Sequence, residues 1–196
     1  MTPGRAGYDR AVDEPAAPFD ELLETLKHAA AALREAGVRH ALGGGLAVWA
    51  RGGPQTEHDV DFFVAPADLD RAMQALADAG FRTEKPPEGW LYKAWRGDVL
   101  VDLIHDPTGV TVDDELLSRA DELEVQAVRM PVLRAEDVLV TKLLAIREHE
   151  VDYDSVLEVA RTVREQIDWD EVRARTADSA YAKAFFTLVD ELGVSP

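Results

Sequence analysis

Two aspartates separated by one residue, Asp59 and Asp61, sit inside HDVDFFV, where Val60, Phe62, Phe63 and Val64 call for burial. A strand repeats every two residues, so both carboxylates fall on one face, side by side. Like charges at half-buried positions repel and are costly to desolvate, and a cation is the simplest reason for both to be ionised. Asp102 repeats the pattern in VLVDLIHD, among Leu100, Val101, Leu103 and Ile104. If its strand lies beside that of Asp59, three carboxylates converge into an all-oxygen set suited to Mg²⁺, which favours octahedral oxygen coordination and retains waters and phosphates. Two such ions about 3.5–4 Å apart hold an attacking oxygen and a leaving pyrophosphate in line. The competing reading is a pair of edge strands with a solvated acidic face.

Spacing alone decides nothing, because Asp68/Asp70, Asp152/Asp154 and Asp168/Asp170 share it. Those pairs lie where helices are expected to start, and acidic residues there complement the helix dipole. Gly43, Gly44 and Gly45 lie between an expected strand and a short helix, about fourteen residues before Asp59. Backbone N–H groups in such a turn can receive a phosphate without side-chain obstruction, although a glycine run is also an ordinary tight turn. Lys142 is the one charge in VLVTKLLAI. A lone ammonium in so apolar a helix needs a partner. A nucleotide phosphate is one candidate; an ion pair with a core carboxylate or a snorkelling side chain is the other. His58 and His105 adjoin candidate aspartates without a second ligand at metal spacing and read as structural. Trp90, Tyr92 and Trp95 read as packing first, with an acceptor or base pocket as the alternative.

The elements that must position these groups follow from periodicity. Residues 19–36 carry Leu22, Leu23, Leu26, Ala29, Ala30 and Leu33 at helical spacing, with Gly37 as the stop. Strands are expected at 38–42, 59–64, 81–83, 91–95 and 99–104, the last two joined by the Arg96-Gly97-Asp98 turn. Short helices are expected at 46–51, beginning on the glycines, and at 66–79, and a weaker strand at 124–132, where Pro131 suits only an edge or a terminus. From residue 135 every segment is helical in pattern, at about 135–148, 153–166, 169–177 and 179–192. The expected fold is α/β, a mixed sheet with flanking helices over residues 19–132, a helical region over 133–196 and a flexible leader over 1–18.

Composition narrows the function. The 196 residues carry 21 Lys plus Arg against 38 Asp plus Glu, a net charge of −17 that repels phosphate backbones. With no cysteine, thiolate zinc sites and a cysteine nucleophile are excluded, and a cytoplasmic location is expected. No apolar run approaches the roughly 20 residues that span a bilayer.

GGGLAVWARGGPQTEHDVDFFV, with Asp102 in LVDLI, resembles the signature of the nucleotidyltransferase superfamily of DNA polymerase β type: a Gly-Gly turn, Asp-x-Asp in a strand, and a third carboxylate on a later strand. The likeness is to the minimal bacterial branch of antibiotic and abortive-infection nucleotidyltransferases, over roughly residues 19–165. It implies that Gly44 and Gly45 bind nucleotide phosphates, that Asp59, Asp61 and Asp102 hold Mg²⁺, and that Asp102 takes the acceptor proton. Thr56 also matches a position before the aspartates and is implied in nucleotide binding, with Lys142 beside it. Gln55 departs from the pattern, since many relatives carry arginine there, and glutamine cannot make the charged bidentate pair. The implied activity is transfer of a nucleoside monophosphate from an NTP such as ATP to a hydroxyl of a small-molecule acceptor, releasing pyrophosphate. The alternatives are a toxin-type enzyme acting on tRNA and a catalytically weak nucleotide-binding or antitoxin-like partner.

Overall fold

A computed structural model describes residues 18–56, 59–87, 89–147 and 151–195. Apart from Pro18, the expected leader lies outside the described residues. The chain opens with α1 (Phe19–Glu35), whose buried stripe of Leu22, Leu23, Leu26, Ala29, Ala30 and Leu33 is the one expected from spacing. Gly37 ends it at φ +66°, a conformation that favours glycine. There follow β1 (His40–Leu42), α2 (Gly44–Ala50), β2 (Val60–Val64), α3 (Leu69–Asp78), β3 (Arg82–Glu84), β4 (Leu91–Arg96) and β5 (Val99–Ile104). Then come α4 (Asp114–Ser118), β6 (Asp121–Val125), β7 (Val128–Val132), α5 (Ala135–Ala145), α6 (Tyr153–Thr162), α7 (Trp169–Arg175) and α8 (Ala180–Glu191).

The strands form one mixed sheet in the order β3-β4-β5-β2-β1-β7-β6, as expected of an α/β core. β2 pairs with β5 in parallel and with β1 antiparallel, so the two aspartate-bearing strands are neighbours near the middle of the sheet. Helices α1 and α3 pack against the sheet, α2 against β2, and α5 stacks on α2 and carries α6, α7 and α8. The alternating residues Val60, Phe62 and Val64 of β2 and Val101 and Leu103 of β5 are completely buried. Burial of a side chain of this size contributes roughly 1.5–3 kcal/mol, so this strand pair is a rigid platform.

Several expectations change. The weak strand at 124–132 is a hairpin, β6 and β7, turning through Gln126 and Ala127 at φ +49° and +61°. Both central residues of that turn are left-handed, a geometry usually announced by Asn-Gly. Pro131 is not on an edge strand; β7 lies between β6 and β1 and meets β1 at Leu42↔Val132. The stretch from Ala120 back to Val112 contains α4, which was not expected; Asp113 caps it by accepting from the Leu116 N–H at 2.9 Å. α2 does begin on the glycines, at Gly44, as expected, whereas α5 stops at Ala145 rather than running to 148. The helix expected at 153–166 breaks after Thr162 into a tight turn at Arg164–Gln166. Among the described residues no helix is long and apolar enough to cross a membrane.

Candidate active site

β2 and β5 run in register with Asp61 opposite Asp102, so these two carboxylates share a face and Asp59 lies two residues along on the same side. One carboxylate oxygen from each of Asp59, Asp61 and Asp102 falls within 4.8 Å of the others. Asp102 is 3% exposed, whereas Asp59 and Asp61 are half-buried. Burial pushes the Asp61 carboxyl well above the usual range, and the charges of Asp59 and Asp102 push it further, against the opposing pull of Lys142. For Asp102, burial and then the Asp59 charge raise it to about 7, with Lys93 working in the opposite direction. Asp61 and Asp102 are therefore costly to ionise beside Asp59, unlike carboxylates on a freely solvated acidic face.

The glycine turn closes directly over this cluster. The Gly43 N–H donates to the Asp61 carbonyl at 2.8 Å, which brings the next residue against the Asp61 side chain. Gly44 adopts φ +55°, and a Cβ there would lie 1.7 Å from Asp61 Oδ2. A Cβ on Gly45 would lie 2.7 Å from Thr56 Oγ1, so Thr56 flanks the same turn. Gly44→Ala is therefore expected to cost about 1–2 kcal/mol for the left-handed backbone and a further 1–3 kcal/mol for the clash. Gly37→Ala, at a similar φ of +66° but with no atom within 4 Å, carries only the first cost. Urea unfolding of the two variants measures the difference; equal losses would show that the turn does not press on Asp61.

Lys142 is half-buried on α5, and no carboxylate of the described residues forms an ion pair with it. Its charge nonetheless acts on both Asp61 and Asp152. α5 is pinned by Asp137, one turn and a residue earlier, which is fully buried and accepts from Arg119 Nη2 at 2.7 Å and Arg175 Nη1 at 2.5 Å. Glu171 accepts from both arginines too, at 2.7 and 2.9 Å. This clasp fixes the helix that aims Lys142, and breaking one partner of so buried a pair is strongly destabilising.

The remaining candidates separate. Asp168 and Asp152 cap α7 and α6, as their positions suggest. Asp68 starts a helix but makes no cap bond; it is buried and holds Arg71 at 2.5 Å. His105 packs edge-on against Tyr92 at 5.2 Å, and His58 lies outside the described residues. Trp95 lies under the Arg82 guanidinium at 3.9 Å, and Tyr92 pairs with Leu103, on the face away from Asp102. One group was missed. Lys93 stands directly opposite Asp102 in the β4–β5 ladder, half-buried on the face of the aspartates.

Comparison with known proteins gives the family and the fold. A family described as "Uncharacterised nucleotidyltransferase" matches residues 20–189. No curated protein matches the sequence. Among solved structures the chain is similar to ANT(2")-Ia in complex with adenylyl-2"-tobramycin, at 15% identity and a TM-score of 0.61 over 83% of this chain and 98% of that one. It is also similar to an antigenic nucleotidyltransferase-like protein from Paracoccidioides brasiliensis, at 16% identity and a TM-score of 0.55 over 91% of each chain. The lincosamide antibiotic adenylyltransferase LnuA, lincomycin-bound, matches at 16% identity with a TM-score of 0.50, over 74% of this chain and 98% of that one. At such identities the structures establish a common fold, while the family match spans most of the sequence: the chain belongs to this nucleotidyltransferase family and is an enzyme of that class.

Proposed function

We propose that this enzyme transfers a nucleoside monophosphate from an NTP to a hydroxyl of a small-molecule acceptor, releases pyrophosphate and requires Mg²⁺. The observation that carries the reading is the convergence of Asp59, Asp61 and Asp102 within 4.8 Å beneath a glycine turn that has no room for a side chain. The donor set fits the metal: every ligand is a carboxylate oxygen, and Asp102 Oδ1 is buried without a hydrogen-bond partner among the described residues. Asp59, Asp61 and Asp102 would hold the ion, or a pair of ions, and bound Mg²⁺ neutralises charge developing on the transferred phosphoryl group.

The chain's own groups supply the rest. Gly44 and Gly45 open α2, where backbone N–H groups lack partners within the helix and face the nucleotide phosphates unobstructed. Thr56 lies against Gly45 and lends a hydroxyl to the same turn. Lys142 offers an ammonium that no described carboxylate neutralises by direct pairing. As the acceptor oxygen bonds to the α-phosphorus, the bond to the bridging oxygen breaks, pyrophosphate leaves with that electron pair, and Asp102 takes the acceptor proton.

A small acceptor is favoured over tRNA on two grounds. Similar structures are in complex with adenylyl-2"-tobramycin and bound to lincomycin. The net charge of −17 also opposes a polyphosphate partner, and the arginines of the last helices are interleaved with Glu158, Glu165, Asp170 and Glu171. The test is incubation with each labelled NTP, Mg²⁺ and a panel of hydroxyl compounds alongside total tRNA, scored for pyrophosphate release and labelled product. Label appearing on RNA ends alone would replace this acceptor class.

Nucleotide and metal should also depend on each other. Three clustered carboxylates repel a polyphosphate until a cation is present, so Mg²⁺ with NTP should raise the melting temperature more than the sum of their separate effects. Linkage sets the scale at about 2.7 kcal/mol for ligand at 100-fold above its dissociation constant. No shift with any NTP at millimolar concentration would count heavily against the site.

A further inference from the structure

A cleft of about 650 Å³ opens at the His40 end of β1, the end remote from Gly43 and the aspartates. Its apolar surface includes Leu117 and Met130, and three guanidinium groups border it: Arg34 from the last turn of α1, Arg39 ahead of β1 and Arg129 on β7. Arg39 is engaged, bridging Asp114 and, at 3.6 Å, Asp68. Arg34 and Arg129 form no ion pair with any described residue. Arg34 also suits the C-terminal end of α1 through the helix dipole, but that role does not call for Arg129 across the cleft. In a chain with 38 acidic and 21 basic side chains, two uncommitted arginines beside a third on one cleft run against the overall charge.

His40 also lines this cleft and gives it a directed polar contact. The ring is 7% exposed, packs edge-on against Phe62 at 5.2 Å and uses Nδ1 to donate to the Val38 carbonyl at 2.9 Å. Nε2 has no hydrogen-bond partner among the described residues. With Nδ1 as the donor, a neutral ring presents its Nε2 lone pair as an acceptor. Burial lowers the His40 pKa, which keeps the ring in that neutral form at neutral pH.

We propose that this cleft is a binding site for a small molecule that carries a carboxylate or phosphate head on an apolar body. Arg34 and Arg129 take the head in charge-assisted hydrogen bonds, the body covers Leu117 and Met130, and a hydroxyl or N–H of the ligand donates to His40 Nε2. A free polyphosphate fits poorly, because the cleft also holds Asp114 and Glu122 and is lined by the apolar side chains of Val38, Leu117 and Met130. The site is independent of the aspartate cluster, being reached from the other end of β1, and its occupant does not compete with nucleotide.

The probes are naphthyl phosphate and naphthoate, followed by naphthalene fluorescence anisotropy on the full chain without metal. Inorganic phosphate (head alone) and naphthalenemethanol (body alone) serve as competitors. Saturable binding of either anionic probe at one site is expected, weakened at least about tenfold by the pair Arg34→Gln and Arg129→Gln, unaffected by Asp61→Asn, and not displaced by Mg²⁺ with ATP. Preference for one probe assigns the head as phosphate or carboxylate. Both arginines are surface residues, and an unchanged melting temperature verifies that the paired variant is folded. Absence of binding at millimolar probe, insensitivity to the arginine changes, displacement by Mg²⁺ with ATP, or equal affinity for inorganic phosphate would each overturn the proposal.

Discussion

Asp102→Asn is expected to remove nearly all transfer activity from a chain that stays folded. The side chain is 3% exposed on β5 and in register with Asp61, so asparagine preserves volume and strand pairing while deleting one anionic oxygen and the proton-accepting capacity. A positioned general base contributes about 10²–10⁴-fold, and the lost metal ligand adds to that, so kcat should fall at least about a hundredfold, or roughly 2.7 kcal/mol of barrier. The same change relieves repulsion among three carboxylates, so the metal-free variant should melt no lower than the parent. Steady-state kinetics on protein verified by circular dichroism measures this. Retention of more than about a tenth of kcat, a loss below about 1.4 kcal/mol, would show that Asp102 is not the base.

The aspartate site was legible because it violates a local rule. Of four Asp-x-Asp pairs, three sit where acid is useful to a helix, and two of those do cap one through Asp152 and Asp168. Only Asp59/Asp61 lies inside a strand whose other residues are buried, and the same conflict recurs at Asp102. Register is what turned two separate conflicts into one cluster, and β2–β5 pairing is a long-range choice that spacing does not encode. Lys93, by contrast, was within reach. The turn Gly97-Asp98 sets Arg96 opposite Val99, and counting outward along that hairpin puts Lys93 opposite Asp102. The β6–β7 hairpin was not within reach, because Gln126 and Ala127 carry none of the chemistry that marks a left-handed turn. Nor was the Asp137 clasp, whose partners come from α4's end and from α7 and meet only when the tail helices dock. The cleft around His40 gave no periodic or motif signal, since Arg34 on α1, Arg39 ahead of β1 and Arg129 on β7 are far apart in sequence and border one cleft only in the folded chain.

The metal-free protein should be more stable in mild acid than at neutral pH as far as this cluster is concerned. Asp102 binds its proton up to about pH 7 in the folded chain and only to the ordinary 3.8 when unfolded. Between those values the native state holds more protons than the unfolded state, so stability falls as pH rises through that window and the contribution is gone above it. A shift of about three units corresponds to something on the order of 4 kcal/mol, and Asp61, raised by burial and by its two neighbours, acts in the same direction. His40 opposes the trend. Its pKa is lowered by burial, so the unfolded state takes up the proton first as pH falls, and this residue adds stability as pH rises toward 6.5 and levels off above it. Net charge adds a general slope of its own, because a chain at −17 repels itself more as carboxylates ionise. The difference between the wild type and Asp102→Asn removes both backgrounds, since each protein carries them. Melting curves in chelator from pH 5 to 8 should show the wild type losing stability relative to the variant as pH rises. Saturating Mg²⁺ should flatten that relative slope by stabilising the ionised carboxylates. Parallel curves for the two proteins in chelator would mean that Asp102 titrates normally in the folded chain, and the electrostatic case for a cation between these three aspartates would fail with it.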